Sequence, residues 1–174
     1  MLGVDRKLAI VLGIDPGSRV TGYGLVAAEP SGVKHIDNGC IVLGDGLVEG
    51  RLAILFDKLT DLIDRHSPSI MAIEKVFLGK NAQSALKLGQ ARGTALTLAG
   101  INNMTVFEYS ATQVKKALVG RGHADKKQIQ HMVKMLLGLT EIPASDAADA
   151  LAVSICHAHT SAFELTMTAL SEKS

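Results

Sequence analysis

LAIVLGIDPGSRVTGYG, running from Leu8 to Gly24, is the stretch on which the reading of the chain turns. Leu8 to Ile14 is an apolar run suited to a buried strand, and it ends on an aspartate, Asp15. A carboxylate at the mouth of a buried strand is costly to desolvate unless it is protonated, paired or bound to a cation, so the position asks for a partner. Pro16-Gly17-Ser18 turns the chain, and VTGYGLVAA, Val20 to Ala28, returns as a second strand carrying Gly22 and Gly24. On these residues alone a plain β-turn explains Asp15 equally well, because Asp is a common first residue of such turns.

The surrounding composition is that of a globular protein. A chain of 174 residues fits one domain, residues 1–174, long enough to bury a core without disulfides. Apolar residues make up 47%, aromatic residues 3%, and the formal charge is +1. The two cysteines, Cys40 and Cys156, suggest no disulfide framework. No apolar run approaches a membrane span. Arg6-Lys7 before the first apolar run lacks the cleavage site that a signal peptide would need, so the expected location is the cytoplasm.

The near-neutral total hides a polarised distribution. Lys75, Lys80, Lys87 and Arg92 fall in a segment without acids, and Ser110 to Lys134 carries six Lys or Arg against the single Asp125. Two basic segments in a neutral chain suit a polyanion, although such runs also serve simply as solvated faces.

Turn signals and hydrophobic periods predict three strands in an antiparallel meander, Leu8 to Ile14, Val20 to Ala28 and Val33 to Leu43. Val48, Leu52, Leu55, Leu59, Leu62 and Ile63 recur at helical spacing before Ser67-Pro68. IMAIEKV, from Ile70, is a fourth strand and MTVFEYS, from Met104, a fifth. Asn81 or Ser84 starts the helix between them, on which Ala85, Gly89 and Gly93 lie four apart, so that another helix, or the sheet itself, can approach closely. Asp125 and Gln128 form a capping-box pattern for a helix through Leu137, and Ser145 is the expected cap of the last helix. This order implies an α/β fold whose first three strands are antiparallel, with parallel strands added through helical crossovers.

Glu74 repeats the oddity of Asp15, being an acid on a buried strand. If the fourth strand pairs beside the first, the two carboxylates become neighbours. Asp146 and Asp149, three apart at the start of the last helix, project from one face, where they either serve the helix dipole or converge on the other two. Four converging carboxylates would repel by about 4 kcal/mol per pair at 4 Å and an effective dielectric near 20. Divalent cations would make such a cluster tolerable, and hard oxygen ligands select Mg²⁺ or Mn²⁺. Cys156, His157 and His159 offer zinc-type ligands, but on a helix the two histidines lie about 200° apart and cannot share an ion. His123 and His131 read as surface residues.

Taken together, LGIDPGSRVTGYG, AIEKVF, KNAQSALKLGQARG, EYSATQVKKALVGRGHADKKQIQHMV and DAADALAVSICHAH resemble, in order and over almost the whole chain, the signature segments of the RuvC family of Holliday junction resolvases. Met1 to Lys7 and Thr160 to Ser174 fall outside the likeness and are expected to be peripheral. The resemblance implies a ribonuclease H-like fold with a five-stranded mixed sheet. It also implies a structure-selective endonuclease that resolves four-way DNA junctions by paired nicks in recombination and repair, with two Mg²⁺ (Mn²⁺ possible) per site. The family's catalytic carboxylates fall on Asp15, Glu74, Asp146 and Asp149, and its basic positions near the cleaved phosphate on Lys115 and Lys126. Phe77 falls where family members stack on an unpaired base. Lys80, Asn81, Lys116, Arg121 and Lys127 join Lys115 and Lys126 as expected DNA contacts. A preference for a short thymine-containing site and cooperation with the RuvA and RuvB branch-migration proteins are implied in the same way. A two-fold junction suits a homodimer, for which the helix bearing Ala85, Gly89 and Gly93 is the expected contact. Two alternatives use the same residues. A ribonuclease H-like RNA nuclease would employ the same carboxylates. An actin-like nucleotide-binding protein has a similar phosphate-binding turn but needs a second domain to close on the nucleotide, for which 174 residues leave no room.

Overall fold

Alternation along the first strand sets the architecture. In β1 (Ala9–Asp15) Leu12 and Ile14 enter one buried cluster while Val11 enters another, because successive side chains on a strand point to opposite faces. Both faces of the sheet are therefore covered. The computed structural model describes residues 9–29, 32–75, 82–120 and 122–171, with the backbone alone at 82 and 162–171.

β2 (Val20–Glu29) runs antiparallel to β1, with Ala9 opposite Ala28 and Asp15 opposite Gly22. β3 (Gly32–Val42) runs antiparallel to β2, with a register shift at Leu25/Val26. Helix α1 (Val48–His66) crosses to β4 (Ile70–Glu74), which lies parallel to β1 with Ile14 beside Ile73. Helix α2 (Ala82–Ile101) then leads to β5 (Thr105–Tyr109), parallel to β4. Three helices follow: α3 (Ala111–Val119), α4 (Lys126–Leu137) and α5 (Ser145–Ser171). The sheet order is β3-β2-β1-β4-β5, the mixed sheet that the order of elements predicts.

α1 and α2 bury Leu55, Leu59, Leu62, Ala95 and Leu98 against Leu12, Ile14, Met71 and Ile73. The other face packs Val114 and Leu118 of α3, Ile129 and Val133 of α4 and Leu151 and Ile155 of α5 over Val11, Val26 and Ala72. Local signals end these helices as expected. Ser67, at φ 47°, adopts a left-handed conformation and its N–H donates to Ile63 O, closing α1 before Pro68. Asp125 and Gln128 form the reciprocal capping box, and Ser110 with Gln113 forms a second.

Two expectations require comment. Ser145 does not cap α5: the Ala148 N–H donates to Ala144 O at 2.8 Å, so Ala144 holds the cap position. Ser145 is already helical, and its Oγ is buried without a hydrogen-bond partner among the described residues. On α2, Gly89 and Gly93 are exposed, and a Cβ on either would meet nothing within 4 Å among the described residues. The stripe therefore faces away from its own sheet, which Ala91, Ala95 and Ala99 meet instead. No described helix is long and apolar enough to cross a membrane.

Candidate active site

The alternation that buries Val11 beneath α5 carries Gly13 and Asp15 onto the same face. Gly22 pairs with Asp15 and Gly24 with Gly13 on one side. On the other, Ala72 pairs with Gly13, and Glu74 stands two residues beyond it. Tyr109 pairs with Glu74. The strand ends thus present a row across the sheet: Gly22, Asp15, Glu74, Tyr109.

Asp146 and Asp149 come to this row because α5 lies almost on the backbone of β1 and β2. A Cβ at Gly13 would fall 2.1 Å from Ala150 O, one at Gly22 1.9 Å from Asp146 O, and one at Gly24 2.7 Å from the Leu151 N. Nothing larger than glycine fits there without displacing the helix. The sequence motifs assign these floor positions no role in seating α5. Their signal is glycine recurring on one face of strands that should be filled with branched side chains. The turn after Asp15 is fixed as well. Thr21 Oγ1 accepts from the Gly17 N–H and donates to Gly17 O, both at 3.3 Å, while Arg51 of α1 donates to Ser18 O.

Carboxylate oxygens of Asp15, Asp146 and Asp149 lie within 4.8 Å of one another. Glu74 stands outside this trio but within its field. Burial, then the charges of Asp149, Glu74 and Asp146, push the Asp15 pKa up to about 7, with Lys126 opposing. Burial and Asp149 also raise Glu74, which Lys115 counteracts. The Lys126 Nζ sits 3.1 Å from Asp149 Oδ2, and this contact leads the interactions that raise its pKa. Lys126 is thus in contact with the acidic site at Asp149, and Lys115 lies near enough to Glu74 to oppose the rise in its pKa. A trio of carboxylates in which burial and neighbouring negative charge disfavour ionisation of Asp15, with no nitrogen or sulfur donor in the group, fits a hard divalent cation.

Lys116, Lys127, His123 and His131 are exposed on and around α3 and α4. Phe77, Lys80, Asn81 and Arg121 lie outside the described residues. His157 is buried and His159 half-buried, and the pair joins no metal-ligand group among the described residues.

Comparison with known proteins bears directly on this arrangement. Residues 11–157 match the family model described as crossover junction endodeoxyribonuclease RuvC. The chain belongs to the RuvC family of crossover junction endodeoxyribonucleases. RuvC of Pseudoalteromonas translucida is 55% identical over 152 residues, which cover 87% of both chains. RuvC of Marinobacter nauticus is 53% identical over 152 residues, again 87% of each. Among solved structures, Thermus thermophilus RuvC in complex with a Holliday junction substrate superposes with a TM-score of 0.84 at 31% identity, covering 90% of this chain and 96% of that one. RuvC nucleases depend on metal, and the acidic cluster supplies the ligand chemistry that this dependence requires.

Proposed function

We propose that this RuvC-family nuclease cuts four-way DNA junctions at the site formed by Asp15, Glu74, Asp146 and Asp149, with Lys115 and Lys126 at the reacting phosphate. The convergence of Asp15, Asp146 and Asp149 within 4.8 Å, on the glycine floor of the sheet, carries this assignment. Bound there, two divalent ions such as Mg²⁺ or Mn²⁺ would supply activation of water and charge stabilisation at the leaving 3′ oxygen. Asp15, central in the row, would contribute to holding both. Glu74 holds one side, and Asp146 and Asp149 hold the other. Lys126, paired with Asp149 in the free protein, would be available to a phosphate oxygen once a cation takes up Asp149. Lys115, whose charge acts on Glu74, would add a second positive group near the phosphate. Exposed Lys116 and Lys127 continue the surface along the DNA backbone. The decisive assay offers a four-way junction, a linear duplex and an RNA–DNA hybrid in Mg²⁺. Cleavage of the junction is expected, and preferential hydrolysis of the hybrid would favour the RNA nuclease instead.

Lys126→Ala is expected to lower cleavage at saturating junction by about 10²-fold, the scale of losing one charge-stabilising donor. If Lys126 also touches phosphate in the bound state, the log–log salt slope of binding flattens by about 0.9. Normal turnover in this variant would return Lys126 to the solvated surface.

The proposal extends to a single nuclease domain working as a homodimer in the cytoplasm, where the free thiols of Cys40 and Cys156 stay reduced, alongside the RuvA and RuvB proteins. One chain supplies one carboxylate set, while a junction needs two nicks in strands of like polarity. Two chains on a two-fold axis match that symmetry. The outward Gly89 and Gly93 on α2 leave room for close approach by a second helix. Sedimentation equilibrium is expected to give a dimer at micromolar concentration, and a supercoiled cruciform plasmid to go mainly to linear product. A monomer that stops at nicked circles would overturn the dimer while leaving the metal site standing.

A further inference from the structure

Tyr109 and His157 form a buried polar pair that the chemistry above does not use. The Tyr109 hydroxyl and His157 Nδ1 share a hydrogen bond of 2.7 Å, with the two residues only 7% and 3% exposed. Phe107, also on β5, packs its ring 4.4 Å from the imidazole. The pair joins elements far apart in sequence, since Tyr109 ends β5 and His157 lies within α5.

Tyr109 touches three parts of the candidate site at once. Its backbone pairs with Glu74, and its carbonyl accepts the Lys75 N–H at 2.8 Å, holding the end of β4 just past the glutamate. The next residue, Ser110, caps α3, the helix that carries Lys115. Its hydroxyl reaches α5, the helix that carries Asp146 and Asp149. His157 stands eight residues beyond Asp149, about 12 Å along the helix axis at 1.5 Å per residue. An apolar contact there would let a helix slide by fractions of an ångström with little penalty, whereas a short directional hydrogen bond resists sliding. Ligand geometry around Mg²⁺ is demanding, with oxygens at about 2.0 to 2.1 Å, so a small shift of α5 matters at Asp149.

We propose that Tyr109 is a positioning residue: its hydrogen bond to His157 fixes the axial position of α5 against β4 and β5, and so the spacing between Glu74 and the carboxylates of Asp146 and Asp149. This role rests on the assignment of those carboxylates as the metal ligands. It predicts a defect in metal affinity, separable from folding and from DNA binding. Tyr109→Phe keeps the ring and removes only the hydroxyl. Mn²⁺ binding by calorimetry, without DNA, is expected to weaken about 5- to 10-fold. Junction cleavage should need correspondingly more Mn²⁺ and recover most of its rate at saturating metal, with junction affinity in chelator unchanged. His157→Asn, whose amide oxygen stands near the place of Nδ1, is expected to retain wild-type Mn²⁺ affinity, whereas His157→Leu loses it as Tyr109→Phe does. Equal Mn²⁺ affinity in wild type, Tyr109→Phe and His157→Leu would overturn the positioning role. So would a loss in His157→Asn as large as in His157→Leu, and these histidine variants decide the matter if Tyr109→Phe fails to fold. Asp15→Asn, measured alongside, keeps the two ideas apart: if it binds Mn²⁺ like wild type, the ligand assignment itself fails.

Discussion

Asp15→Asn is expected to abolish junction cleavage, by at least about 10³-fold or about 4 kcal/mol of transition-state stabilisation, while leaving junction affinity equal to or above wild type. Asp15 occupies the centre of the strand-end row, and one of its oxygens lies within 4.8 Å of an oxygen of Asp146 and of one of Asp149. An amide there removes one anionic ligand and also one charge that repels phosphate, so chemistry and binding move in opposite directions. A second consequence concerns stability. The Asp15 pKa is pushed up from 3.8 to about 7 in the metal-free protein. Between those values the unfolded chain releases its proton while the folded chain retains it, so stability falls as pH rises through that window, and the loss is complete above it. A shift of this size corresponds to at most about 4 kcal/mol. Without metal, Asp15→Asn should therefore melt higher than wild type at pH 8, and the gap should close towards pH 4. Adding Mg²⁺ should raise the melting temperature of the wild type far more than that of the variant. A variant that cuts at the wild-type rate in Mg²⁺, or a melting difference independent of pH, would contradict this account.

Gly22→Ala is expected to be nearly as damaging to catalysis although it touches no charged group. The added Cβ would lie 1.9 Å from Asp146 O, a backbone atom that cannot rotate away. The start of α5 must then lift from the sheet, carrying Asp146 and Asp149 away from Asp15. Cleavage should fall by about 10²-fold or more, the scale associated with a displacement of about 1 Å in a catalytic constellation. Overpacking of this kind costs about 1 to 3 kcal/mol, so the variant should still fold. Circular dichroism showing a folded variant with full activity would mean that α5 relaxes without moving its carboxylates.

Much of this architecture is legible because burial writes itself into period and punctuation. Leu55, Leu59, Leu62 and Ile63 announce α1, and Asp125 with Gln128 announces α4, since both patterns depend on neighbours close in sequence. Asp15 and Glu74 stand out because an acid closing an apolar strand has a solvation problem that only a partner resolves. What escapes is whatever depends on which of two equivalent surfaces wins. Helix α2 carries small residues on two faces, Ala85-Gly89-Gly93 and Ala91-Ala95-Ala99, and spacing alone does not tell which one meets the core. Ser145 has the chemistry of a cap, but the cap belongs to the residue whose carbonyl accepts the first helical bond, and that is Ala144. The Tyr109–His157 bond spans 48 residues, beyond the reach of any local pattern.

The capping box at Asp125 places Lys126 and Lys127 at the first two positions of α4, with no acid in its first turn. Cations at that end of a helix oppose its dipole, at a typical cost of about 0.3 to 1 kcal/mol each. In the free protein Asp125 and Asp149 offset part of this frustration. On the proposed reading of Lys126 and Lys127 as DNA contacts, a phosphate arriving at the same point would satisfy lysines and dipole together. The first turn of α4 would then be least content when nothing is bound, and some of the proposed attraction for the nucleic-acid backbone would be held in advance as local instability of the empty enzyme.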